Sequence, residues 1–86
     1  MKIKKELIKR SIAGETVLVP VGRTVYEANG LFVLNELGDF LWERLPGAEN
    51  EEQLLQSILE EYEVDEQTAR KDLRMFLAKL TEMGII

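Results

Sequence analysis

The hydrophobic positions change their period once along the chain, at residue 35. Before it, apolar residues come in short runs: Leu7, Ile8 and Ile12, then Val17, Leu18, Val19 and Val21, then LFVL at residues 31–34. Short runs rich in β-branched residues and bounded by turn formers read as strands. Residues 7–12 and 15–21 are expected to pair as a hairpin about Ala13-Gly14. Pro20 cannot donate to a ladder, so its strand lies at an edge or ends there. Residues 22–30 form a longer connection in which Asn29-Gly30 marks a second turn. Residues 31–34 then make a short third strand.

From Asn35 onward the spacing is helical. Asn35 can cap a helix, because its side-chain oxygen accepts from the first free backbone N–H groups. Leu37, Leu41 and Leu45 fall at i, i+4 and i+8, with Phe40 beside them, and Pro46-Gly47 stops the run. Asn50 caps a second helix with Leu54, Leu55, Ile58, Leu59 and Tyr62 on one face. Asp65 caps a third, whose stripe is Ala69, Leu73, Phe76, Leu77 and Leu80, and Gly84 ends it. Trp42, to one side of the first stripe, is expected in the core, and Met75 points away from the third. The pattern predicts a single α+β domain over residues 1–86, three short strands followed by three helices. Such a sheet buries one face under its helices and leaves two edges.

Composition removes most chemistry. The 86 residues contain no cysteine and no histidine, which excludes thiolate nucleophiles, disulfides and the commonest general base and metal ligand. The paired carboxylates Glu51-Glu52, Glu60-Glu61 and Asp65-Glu66 sit at helix starts or on solvent faces, where they cap and solubilise. No loop has calcium-ligand spacing, and Gly22, Gly30 and Gly38 form no phosphate-binding pattern. Ser11 and Ser57 have no base to activate them. The expectation is a protein without catalytic residues, metal or cofactor.

Charge and hydropathy bound the location and partners. Neither a signal peptide nor a run of about 20 apolar residues is read, so the chain is expected to be cytoplasmic and free of membrane. The net charge is −5, with eleven acids and one base, Arg44, between residues 35 and 66. After residue 66 the balance turns basic with Arg70, Lys71, Arg74 and Lys79. An acidic body of this kind is a poor nucleic-acid binder. Arg70 and Arg74 lie one turn apart, either solvated or placed as bidentate donors for a partner's carboxylate.

Two segments carry a likeness. LNELGDFLWERL at residues 34–45 resembles the first-helix opening of the PqqD family, a Leu-Asn-Glu-x-Gly/Ala core followed by an aliphatic–Trp pair. Residues 60–86 resemble that family's closing segment, through Tyr62 and Val64, Asp72-Leu73, Phe76-Leu77 and Gly84-Ile85. The likeness covers residues 7–86. Leu37 departs from a common threonine, Ala48-Glu49-Asn50 replaces a shorter lead into the second helix, and the connection over residues 22–30 is long. These departures leave the fold expectation intact and point away from PQQ synthesis itself, toward another modified peptide.

The resemblance implies a winged helix-turn-helix-like fold and a non-catalytic recognition element for the leaders of ribosomally made, post-translationally modified peptides. In such elements the leader adds as a strand beside the third strand, in a cleft walled by the third helix, for a modifying enzyme often of the radical-SAM type. Gly30, Leu31, Phe32, Val33 and Leu34 are therefore expected along the peptide, with Arg70, Leu73, Arg74 and Leu77 on the facing wall. A free edge can accept an added strand on backbone grounds alone, and it can equally pair with a second copy as a homodimer. The competing readings are a winged-helix DNA-binding regulator, with Lys71 and Arg74 on phosphate, and a structural subunit of a maturation enzyme.

Overall fold

A computed structural model of the protein describes residues 1–23 and 32–86. Among them three strands precede three α-helices: β1 (Leu7–Ile12), β2 (Glu15–Pro20), β3 (Phe32–Leu34), α1 (Glu36–Arg44), α2 (Glu51–Glu61) and α3 (Glu66–Glu82). A 3-10 turn at Leu45–Gly47 closes α1. The sheet is antiparallel in the order β1-β2-β3, so among the described residues β1 and β3 are its edges. Gly30 and Leu31 of the expected third strand, with the Asn29-Gly30 turn, lie outside the described residues.

The β1–β2 register, Ile12 opposite Glu15 and Leu7 opposite Pro20, leaves Ala13 and Gly14 as a two-residue loop. Both have positive φ, +52° and +83°. That is the mirror-image turn whose twist matches paired strands, and it favours glycine or asparagine over alanine. Pro20 is the last residue of β2. The missing donor therefore falls at the strand end, and Val21 N–H reaches the Glu6 carbonyl at 2.9 Å instead.

Each helix starts where the capping rule puts it. Asn35 Oδ1 accepts from Gly38 N–H at 2.7 Å, Asn50 Oδ1 from Gln53 N–H at 3.0 Å, and Asp65 Oδ2 from Thr68 N–H at 3.0 Å. Thr68 holds the Asp65 carboxyl below its ordinary value, first through its hydroxyl and then through its N–H. Each cap satisfies one of the orphan donors at a helix start.

One core joins both halves. Leu18 and Leu34 from the sheet meet Leu41, Trp42 and Leu45 of the α1 region, Leu54, Leu55 and Ile58 of α2, and Ala69, Leu73, Leu77 and Leu80 of α3. Strand alternation puts Lys9, Leu18 and Phe32 on the same inner face, because the register sets them opposite one another. Lys9 is the polar member of that row, and it reaches α1: its Nζ lies 2.7 Å from Asp39 Oδ1 and pairs with Glu43. Asp39 first, and Glu43 second, hold the Lys9 ammonium above its ordinary pKa. The outer face carries exposed Ile8, Ile12 and Val33. Among the described residues no helix is long and apolar enough to cross a membrane.

Candidate functional site

The strand β3 ends at Leu34, and α1 begins at Glu36, so a single residue makes the junction. Asn35 has extended backbone angles and caps α1 in the same step. The edge strand is thereby anchored directly to the helical layer. Close packing beneath it depends on Gly38: a Cβ there would stand 3.2 Å from Asn35 Oδ1, 3.3 Å from Leu34 Cδ2 and 3.5 Å from Phe76 Cε1. A glycine is what lets strand, first helix and third helix approach to this distance.

Between β3 and α3 runs an open groove of about 1030 Å³. Its sheet side is Phe32, Val33 and Leu34, and its helix side is Asp72, Met75, Phe76 and Lys79. Glu15, Thr16, Asn35, Glu36 and Asp39 line the end where β3 meets α1. The floor is aromatic, with the rings of Phe32 and Phe76 in tilted contact at 6.3 Å between centroids and 59° between planes. Met75, exposed at 62%, borders that floor, whereas the Val33 side chain, exposed at 54%, projects from the outer face of the same strand.

The backbone of β3 supplies the polar part. In an antiparallel pair, alternate residues turn both N–H and C=O toward the neighbour, and the residues between turn theirs outward. Among the described residues β3 pairs with β2 on one side only, Leu34 opposite Thr16, Val33 opposite Val17 and Phe32 opposite Leu18. Its other side is therefore a short row of outward-pointing donors and acceptors beside an apolar floor. An extended peptide can meet both requirements at once. Three residues of β3 and the seven-residue step from Asp72 to Lys79 each cover about 10 Å, enough for three or four residues of added strand.

The helix wall differs from the one expected. Leu73 is fully buried and Leu77 nearly so, both within the core. Arg70 and Arg74 lie on the opposite flank of α3, facing α2. Arg70 Nη1 donates to Glu52 Oε1 at 2.6 Å, and Arg74 Nε to Glu51 Oε2 at 3.4 Å. The Arg70 hydrogen bond is the main cause holding the Glu52 carboxyl below its ordinary value. The four residues expected there, Arg70, Leu73, Arg74 and Leu77, thus do not line the groove. Counting about 100° per residue, Asp72, Met75, Phe76 and Lys79 form their own stripe at i, i+3, i+4 and i+7 on the other side of the core stripe. Met75 beside half-buried Phe76 was the available signal, since an apolar residue pointing outward next to an aromatic one widens the apolar face past what the core uses.

Among the described residues no group of three acidic side chains stands where it could hold a metal ion. The arrangement offers backbone pairing, an apolar floor and a charged rim.

Comparison with known proteins agrees with that arrangement. The model of the family described as coenzyme PQQ synthesis protein D (PqqD) matches residues 15–86. Among solved structures, the chain is similar to TbiB1 in complex with the TbiA(beta) leader peptide, at 29% identity and a TM-score of 0.74, covering 99% of this chain and 93% of that one. No protein of curated function matches it.

Proposed function

The chain belongs to the PqqD family, and from that premise we propose that it is a recognition element which binds the leader of a ribosomally made precursor peptide and presents it to a modifying enzyme. The observation that carries this reading is the groove itself: a sheet edge with no further strand beside it among the described residues, joined by a single residue to α1, over the Phe32–Phe76 floor. The likeness to a chain solved with a leader peptide supports it. We place the leader as an added strand along Phe32, Val33 and Leu34, with Met75 and Phe76 receiving its apolar side chains. The protein contributes binding, and chemistry on the peptide belongs to its partner, in keeping with a sequence without histidine or cysteine. On family resemblance alone, that partner is of the radical-SAM type.

The test is an NMR titration of isotope-labelled protein with the leader segments of precursor peptides encoded beside it. Shifts concentrated at residues 32–39 and 72–79, saturating at micromolar peptide, about −8 kcal/mol, are the expected result. Shifts centred instead on Arg70 and Arg74, or no binding by any leader, would refute the groove or the function respectively.

A further inference from the structure

Resting on the leader-binding reading, we propose that the peptide taken by this groove is cationic: an apolar residue seated on Phe32, Phe76 and Met75, with a lysine or arginine beside it at the Leu34 end. The rim residues are unequal in sign. Glu15, Glu36, Asp39 and Asp72 line the groove against one ammonium among the described lining residues, Lys79. Asp39 already has Lys9 at 2.7 Å. Glu15, Glu36 and Asp72 have no cation within 4 Å among the described residues, and all three are exposed.

Two of the three carboxylates gather at one end. Glu15 precedes Thr16, the residue opposite Leu34, and Glu36 follows Leu34 by two positions. A strand added to β3 would lie along the groove that both of them line. The positive end of the α1 dipole lies there too, yet it amounts to about half a charge and is partly satisfied by Asn35. The full charges of Glu36 in the first turn and of Glu15 beside it, neither of them paired, outweigh it, so the local field favours a cation. An acidic leader would instead set its carboxylates against unpaired carboxylates, which is repulsive at this range.

The experiment is selection from a random peptide display library on the wild-type protein and on Glu15→Gln/Glu36→Gln/Asp72→Asn, with circular dichroism confirming that the variant is folded. The inference expects wild-type selections to share apolar residues flanked by lysine or arginine, and variant selections to keep the apolar residues and lose the basic enrichment. The synthetic wild-type consensus should bind the variant about tenfold more weakly at low salt, three exposed ion pairs being removed. Its affinity for wild-type protein should fall as salt rises, a readout that needs no variant. Apolar enrichment without basic residues, or salt-independent affinity, overturns the cationic preference and leaves leader binding standing. No enrichment of any kind overturns leader binding itself. A dimer of the wild-type protein that the triple variant loses would give the groove to a second copy, and that also overturns the inference.

Discussion

Phe32, on the edge strand, and Phe76, in the middle of the last helix, hold their ring centroids 6.3 Å apart. This is the contact through which the two walls of the groove meet. Phe76 also lies beneath Gly38, so strand, first helix and third helix converge on one ring. The pair belongs to the fold and to the site together, and substitutions on either side of it should separate the two.

Phe76→Ala removes a half-buried ring and is expected to lower stability by about 1–2 kcal/mol and to abolish leader binding. Met75→Gln is the discriminating partner. With Met75 at 62% exposure, the unfolding midpoint should stay within about 0.5 kcal/mol of wild type, while peptide affinity falls roughly fivefold, about 1 kcal/mol of lost apolar contact. Thermal melts and titrations on the same samples check both, and an unchanged affinity in Met75→Gln would remove that residue from the site.

Strand addition makes a separate demand on the backbone. Peptide binding should slow amide hydrogen exchange in β3 at alternate residues, either Val33 or the pair Phe32 and Leu34, because only outward amides gain a partner. Uniform slowing along β3 would mean general stabilisation rather than a new ladder.

The other flank of α3 should behave as framework. Leu73→Ala removes a side chain with no exposure and should cost about 2–5 kcal/mol, out of about 4–13 kcal/mol for a domain of this length. The melting temperature should drop by more than about 10 °C. Arg70→Ala with Arg74→Ala, by contrast, should leave leader affinity unchanged. Loss of affinity there, with the fold intact, would move the peptide to the α2 side.

How much of this was legible in the sequence follows from the same helix. The caps at Asn35, Asn50 and Asp65, the Ala13-Gly14 turn, the burial of Trp42 and the order of elements could all be read, because each is fixed by local chemistry or by the period of apolar residues. The choice of groove wall could not. The apolar stripe of α3 has two flanks, and periodicity is symmetrical about its centre. Arg70 and Arg74 looked available because their partners, Glu52 and Glu51, lie 18 and 23 residues earlier, a pairing that only the packing of α2 on α3 creates. Phe76, counted with the core, also belongs to the other stripe.

Acid should weaken the α2–α3 contact in a defined direction. Arg70 depresses the Glu52 pKa below its ordinary 4.5, so this contribution is present above about pH 4.5 and is lost as pH falls through the lower folded value. Asp65, depressed below 3.8 by Thr68, acts in the same sense. The difference in melting temperature between wild type and Glu52→Gln should therefore be seen at pH 7 and shrink as the pH is taken progressively below 4.5. A difference that persists in acid would mean that packing, rather than charge, holds the pair.

The hairpin carries the clearest opportunity for improvement. Ala13 occupies a left-handed conformation at φ +52°, which disfavours a residue with a Cβ. Ala13→Asn should raise stability by about 0.5–1 kcal/mol, several degrees in melting temperature. No gain would indicate that the turn is not strained in solution.

The brevity of β3 has a consequence in time. An added strand facing three residues can form only a few backbone hydrogen bonds, each worth about 0.5–1.5 kcal/mol net. At micromolar affinity and an ordinary association rate of about 10⁶ per molar per second, the complex lives for about one second. That is comparable with a typical enzyme turnover. On the proposed reading, an edge this short would hold a leader long enough for one encounter and then let it go, so the same molecule would be free to serve the next chain.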